Sequence, residues 1–214
     1  VSPGVFIPLA EKYGIIRKLS KWVLDQALAD LARWTSLFGM EFQVSVNRSS
    51  HDFHDYEECL NEVRDGLHEH GLAGGNLIVE VTEHSLVGNA SLTAKVLQAY
   101  RSLGVGVALD DFGTGYSSLD YLKRYPVDYI KIDKSFVDAL EFNSVHYQLC
   151  DGIIAIAKRL GLQVVAEGVE SELQAAILRT MGAEYIQGYL YAKPMRAADF
   201  EAYMAQRAGA GSGA

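Results

Sequence analysis

The amino-acid sequence predicts an α/β fold, a (β/α)8 barrel of the TIM type, and three observations carry that expectation. Segments with helical spacing alternate with short β-branched apolar runs, giving six strands separated by helices. These runs are too apolar for a sheet with one wet face, which implies parallel strands covered by helices. Polar residues, Asn47, Glu80, Asp110, Asp111, Lys131, Glu167 and Gln187, stand within or at the end of the runs. Only a closed barrel brings the carboxyl ends of so many strands to one mouth. An open, doubly wound sheet would spread them too far apart, and its GxGxxG turn is absent from the chain.

The elements follow in order. Ile16, Leu19, Val23, Ala27, Leu28, Leu31 and Trp34 recur every three or four residues and predict an amphipathic helix over 16–38. FQVSVN at 42–47 alternates as a strand and ends on a polar residue. Helical spacing at Tyr56, Leu60, Val63 and Leu67 leads into the strand LIVEVTE at 77–83, and that at Leu92, Val96, Tyr100 and Leu103 into GVALDD at 106–111. A shorter helix near 117–124 precedes YIKID at 129–133. Val145, Leu149, Ile153, Ile156 and Leu160 mark a long helix before QVVAEG at 163–168, and Leu173, Ile177 and Met181 another before YIQGYL at 185–190. A barrel needs eight strands and six are counted here, so two are expected ahead of Val1. The barrel is expected over residues 1–207, and the small-residue end, GAGSGA, reads as a flexible tail at 208–214.

With 214 residues, 49% of them hydrophobic, the chain suits one domain with a sizeable core. A formal charge of −8 argues against a nucleic-acid polymer as partner, since that grip needs clustered Lys and Arg. Cys59 and Cys150 stand apart, without a CxxC pair, so neither a disulfide framework nor a zinc-thiolate site is expected, and a reducing cytoplasm fits. No run is long and apolar enough to span a membrane, and the opening VSPGVFIPLAEKYG lacks the pattern of a signal peptide, although a longer parent protein could be tethered elsewhere.

The strongest chemical signal is Asp110-Asp111-Phe112-Gly113-Thr114-Gly115-Tyr116-Ser117-Ser118-Leu119, in which two adjacent carboxylates end a strand and enter a glycine-containing loop. Carboxylates crowded together repel unless a cation neutralises them, and oxygen-only donors such as Asn47, Glu80, Asp110, Asp111 and Glu167 suit Mg2+ or Mn2+ better than zinc. With one aspartate bridging, two ions could be held, an arrangement suited to in-line displacement at phosphorus. Lys131 could hold a water or a phosphoryl oxygen. Each feature has a plainer reading. An Asp pair at a strand end is commonly a helix cap or a solvated loop, and Glu80 with Lys131 could be a structural ion pair. Three charges inside apolar strands, Glu80, Lys131 and Glu167, weigh against a purely structural account. His51 with His54 and His68 with His70 read as surface histidines, and Trp22 and Trp34 as packed against the barrel. Asp133, at the end of YIKID, and Tyr189 and Pro194, which follow the last strand, are candidates for substrate contact, with core packing the alternative for the last two and for Tyr191.

DDFGTGYSSL at 110–119, with EVTE at 80–83, YIKIDKSFV at 129–137, AEGVE at 166–170, QGYLYAKP at 187–194, FIPLAEKYG at 6–14 and the Asn47 strand end, resembles the EAL-domain family of cyclic di-GMP phosphodiesterases, in the family's order and over nearly the whole chain. The resemblance implies a barrel whose first strand runs antiparallel to the rest. It implies that Asn47, Glu80 and Asp110 bind a first metal and that Asp110 bridges to a second held also by Asp111 and Glu167. It further implies that Lys131 contacts the metal-bound water, that Glu167 is also a candidate general base, that Glu83 anchors the DDFGTGYSSL loop, and that Glu170 and Gln187 are further catalytic-site positions. The implied reaction opens cyclic di-GMP to linear pGpG.

One departure stands out. The Glu-Ala-Leu motif that names the family, whose Glu is a first-metal ligand, has no counterpart here; it is expected just ahead of Val1, on the second of the two uncounted strands. The resemblance also implies a homodimer through the loop after Asp111 and a sensory or cyclase-like domain upstream in the parent protein. An alternative is a receptor that binds cyclic di-GMP without hydrolysing it. Such relatives usually carry substitutions at these positions, and none is substituted here. A purely regulatory interaction domain would have no need of charges inside apolar strands.

Overall fold

The computed structural model describes residues 1–39, 42–53, 55–86, 89–114 and 118–211. Helices α1 (Pro3–Lys12) and α2 (Ile16–Phe38) precede strand β1 (Val44–Asn47). There follow α3 (Tyr56–Glu69), β2 (Leu77–Thr82), α4 (Ala90–Ser102), β3 (Gly106–Phe112), α5 (Ser118–Arg124), β4 (Tyr129–Ile132) and α6 (Lys134–Val137). Helix α7 (Val145–Arg159), β5 (Gln163–Ala166), α8 (Glu172–Met181), β6 (Tyr185–Ile186) and α9 (Ala197–Gly211) complete the chain.

The strands form one sheet in the order β1-β2-β3-β4-β5-β6, and every adjacent pair is parallel. This is the alternation expected, because each strand is followed by a helix that carries the chain back across the sheet. Among the described residues β1 and β6 are sheet edges and no antiparallel pair occurs, so the sheet is a curled half-barrel, without the antiparallel strand that the resemblance implies. The curl shows in how the ends meet: α9 packs on α2 through Trp34 and Phe200, ring centroids 4.5 Å apart, and through an Arg33–Glu201 ion pair at 2.7 Å.

Several boundaries differ from those read in the sequence. The strand at 77–83 stops at Thr82, that at 129–133 at Ile132 and that at 163–168 at Ala166, while the run at 185–190 pairs only at Tyr185 and Ile186. In each case the residues beyond are those that turn out of the sheet at its mouth. Apolar spacing does not single out α1, which contains Pro8, but Pro3 sits at its start, where a missing N–H costs nothing. The expected tail at 208–214 is helical as far as Gly211, since α9 runs on through its small residues; 212–214 lie outside the described residues. Trp22 is a correction too. It is 59% exposed and borders an open cleft beside Asn47, while Trp34 packs as expected. His51 and His68 are exposed as expected, and His54 lies outside the described residues. Cys59 and Cys150 are buried and unpaired, with burial pushing both thiols up to about 11. No described helix is long and apolar enough to cross a membrane.

The sheet has two apolar layers. Its outer face and the helices share the main core, which includes Leu28, Val63, Val79, Val107, Ile130 and Val164. On the inner face, Ile78, Ala108 and Tyr129 cluster with Val165 against them. Two residues further along the same strands, where the pleat returns to the same face, stand Glu80, Asp110, Lys131 and Glu167.

Candidate active site

The charged residues of β2 to β5 converge at the mouth. Lys131 Nζ lies 2.7 Å from Glu80 Oε2, 3.1 Å from Asp110 Oδ1 and 2.6 Å from Glu167 Oε1. Lys131, Glu80 and Asp110 are buried, and Glu167 is half-buried. The Glu80–Lys131 pair considered as a purely structural alternative is therefore present, but as part of a larger cluster with two further carboxylates. One ammonium cannot neutralise so many acids, which leaves the mouth net negative.

The electrostatics follow. Burial raises the Glu167 carboxyl above the ordinary carboxylate range; Lys131 opposes that rise, and Asp110 and Glu80 add to it. Asp111 is raised by burial first and then by Asp110 and Asp133. Burial works to lower Lys131, yet Glu80, Asp110 and Glu167 outweigh it and hold the ammonium well above its ordinary value.

Adjacent strand residues normally face opposite sides, so Asp110 and Asp111 would not both serve one site without a local distortion. That distortion is present. The β3–β4 register shifts between Leu109 and Phe112, and Asp111 has φ 55°, a left-handed conformation uncommon outside glycine. The Asp111 N–H donates to Asp110 Oδ1 at 3.0 Å, and Thr114 Oγ1 donates to the Asp111 carbonyl at 2.8 Å, holding the turn. Glu83, buried at the end of β2, accepts from the Gly113 N–H at 3.4 Å, so it reaches the loop it was expected to anchor. Gly115, Tyr116 and Ser117 of that loop lie outside the described residues.

Asn47 ends β1 in register with Glu80 and is exposed at the mouth. Glu167 leaves β5 with its N–H on the Ile132 carbonyl at 3.1 Å. The next residue, Gly168, has φ 69°, and a Cβ there would strike the Lys134 side chain. Gln187 is tied by its backbone to β5, donating to Ala166 O at 2.8 Å, with its side chain exposed. A Cβ on the following Gly188 would collide with the Val169 backbone, so the close approach of these two mouth loops requires glycine.

Other candidates stay apart from the cluster. Glu170 pairs with Lys134 on the rim. Asp133 caps α6, accepting from the Ser135 N–H at 3.0 Å. Tyr189 is exposed beneath the Lys193 ammonium, 5.7 Å from its ring centroid; Pro194 is exposed, and the Tyr191 hydroxyl accepts from Arg179 at 2.7 Å. Among the described residues no group of three His, Cys, Asp or Glu side chains stands at ready-made metal-ligand spacing. The acids are arranged round the lysine instead. Sequence reasoning passed over Arg48, beside Asn47, because an Arg at a strand end looks like an ordinary solvated residue.

Residues 1–194 match the family described as EAL domain. The chain is 39% identical over 197 residues to the bifunctional diguanylate cyclase/cyclic di-GMP phosphodiesterase MucR of Pseudomonas aeruginosa, covering 92% of this chain and 29% of MucR. It is 40% identical over 201 residues to the cyclic di-GMP phosphodiesterase PdeR of Escherichia coli, covering 94% of this chain and 30% of PdeR. It therefore spans under a third of the length of these curated relatives. Among solved structures, the MucR phosphodiesterase in complex with c-di-GMP superposes with a TM-score of 0.85 at 38% identity, covering 94% of this chain and 87% of that one. The EAL domain of Mycobacterium smegmatis DcpA gives 0.82 at 37% identity, over 88% and 84%. With the family pattern matched across nearly its whole length and the curled parallel sheet shared with those structures, the chain belongs to the EAL domain family.

Proposed function

We propose that the chain hydrolyses cyclic di-GMP to linear pGpG with the help of two divalent cations, Mg2+ or Mn2+. The observation that carries the reading is the convergence of Glu80, Asp110 and Glu167 on one buried ammonium at the strand ends, in a chain whose relatives bear the name cyclic di-GMP phosphodiesterase.

The donor set fits hard cations. It is made of oxygens alone, its acids are crowded, and the burial that raises Asp111 and Glu167 would be offset by positive charge. In this reading Asn47, Glu80 and Asp110 would hold one ion, and Asp110, Asp111 and Glu167 the other. A further glutamate, on a Glu-Ala-Leu strand pairing with the edge of β1, belongs to the proposal by resemblance. Bound cations would supply the charge that acidifies the attacking water and steadies both oxygens of the displacement. Lys131 orients that water, and Glu167 takes its proton. The water oxygen forms a bond to phosphorus, the P–O3′ bond breaks, and the freed 3′-oxygen is protonated, leaving a 5′-phosphate on the opened dinucleotide. Beside Asn47 a cleft of about 640 Å³, lined by Phe6, Ile7, Trp22, Arg48 and Thr82 among others, has room for a base. Glu170, Gln187, Asp133, Tyr189 and Pro194 ring the same mouth and are proposed to contact the nucleotide. A cytoplasmic location, a homodimer and an attached sensory or cyclase-like domain complete the proposal; the greater length of the relatives supports the last.

The test incubates the chain, and a version extended ahead of Val1 by a Glu-Ala-Leu strand, with cyclic di-GMP and Mg2+ or Mn2+, following pGpG by chromatography. Product that disappears on chelation is expected. Tight binding without product in either version would establish a receptor instead, and activity that survives exhaustive chelation would remove the metals from the mechanism.

A further inference from the structure

Arg48 is almost wholly enclosed, 3% exposed, one residue beyond Asn47. Its guanidinium reaches α3, where Nη2 donates to Glu62 Oε2 at 3.0 Å, and it lies close to Tyr100 of α4. The Asp52 carboxylate, which accepts from the Ser49 N–H at 2.8 Å, closes the turn that follows β1 and adds negative charge near the guanidinium. The Arg48 N–H meanwhile donates to the Glu80 carbonyl at 2.9 Å. Arg48 thus ties the mouth end of β1 to β2 through its backbone and to the covering helix α3 through its side chain.

As a stabilising device this arrangement is poor. Among the described residues the buried Arg48 Nε has no hydrogen-bond partner, and a buried ion pair of this kind often contributes less than apolar residues of the same bulk. A buried charge that is incompletely satisfied needs another reason to be there. Asn47 supplies one: its side chain is exposed and makes no hydrogen bond among the described residues, so its aim depends on the backbone on either side of it.

We propose that Arg48 is a positioning residue, its buried guanidinium holding the end of β1 so that Asn47 meets Glu80 at the mouth. The inference rests on the reading of Asn47 as part of the hydrolytic site. It acts as outer-layer residues act around metal ligands, by orienting a group that touches the reaction.

The test compares the parent protein with Arg48→Met/Glu62→Met, which removes both charges and keeps the bulk, and with Glu62→Gln, a mild change on α3 away from the mouth. Amide hydrogen exchange, which needs neither metal nor substrate, should show the Arg48 N–H losing protection at least about tenfold in the double variant, with the melting temperature and the remaining strands unchanged. Glu62→Gln should give a smaller loss at the same amide. Hydrolysis in the double variant should fall about 10- to 100-fold and the Mn2+ concentration for half activity should rise. Adding Asn47→Ala to that variant should then cost much less than in the parent, because the asparagine is already misplaced. Unchanged protection in both variants, or an undiminished Asn47→Ala penalty, overturns the role. A parent that hydrolyses nothing overturns the phosphodiesterase reading, while the exchange result still decides whether Arg48 holds β1.

Discussion

The inner face of the sheet carries two layers that differ by one step of the pleat. Lower down, Ile78, Ala108, Tyr129 and Val165 make a small apolar cluster; two residues on, Glu80, Asp110, Lys131 and Glu167 make a charged one. The backbone scaffold, parallel neighbours and enclosure are shared. What differs is that the upper residues sit where the strands end and the chain turns out to solvent, so a ligand can reach them. The lower layer holds the sheet together, and the upper layer tolerates an electrostatic cost that a purely structural core would avoid.

Substitutions can separate the two layers. The largest effect is expected for Glu167→Gln, which should slow hydrolysis about 10²- to 10⁴-fold while calorimetry finds cyclic di-GMP binding retained; an active variant would remove Glu167 as the base. In the metal-free protein the buried Glu167 carboxyl should titrate by NMR above the ordinary value of 4.5, and added Mg2+ should bring it down.

Next comes Lys131→Met, expected to lower unfolding free energy by about 3 kcal/mol, since it leaves buried acids without their counter-charge. The loss should be greater at pH 8 than at pH 5, where the raised Glu167 carboxyl can take up a proton. The parent's lysine is held above its ordinary 10.5, so its contribution is complete below that pH and lost as pH rises through the higher folded value. Denaturant titrations should show this alkaline loss in the parent and not in Lys131→Met; parallel curves would contradict the pairing.

In the lower layer, Ile78→Ala should cost about 2 kcal/mol by chemical denaturation and leave the rate within a few-fold of the parent. A large loss of rate with stability intact would mean that the layers are not separable. The smallest effect is expected at Asp111. Asn accepts the left-handed backbone and Ala does not, so Asp111→Asn should be more stable than Asp111→Ala by about 1 kcal/mol, with both impaired in hydrolysis. Equal stabilities would mean the left-handed turn is not maintained in solution.

Much of this was legible in the chain. Short β-branched apolar runs and three- and four-residue helical spacing locate the strands and most of the helices, and Glu80 and Lys131 stand out because a charge contradicts an apolar run. Helices α1 and α9 escape that reading, the first because of Pro8 and the second because small residues blur its apolar face. Trp22 misleads for a different reason: spacing says that a helix has a buried stripe, but not which of its large side chains lies at the stripe's edge.

The sequence alone determined the order of elements, the parallel sheet and the identity of the mouth residues, because local periodicity and the cost of misplaced charge are properties of neighbouring residues. Only the tertiary structure decided which charges meet. Lys131 and Glu80 are 51 residues apart and come together through the packing of intervening strands. Tertiary packing also placed Glu170 against Lys134 and buried Arg48, since a long side chain takes its partner from whichever element the fold lays beside it.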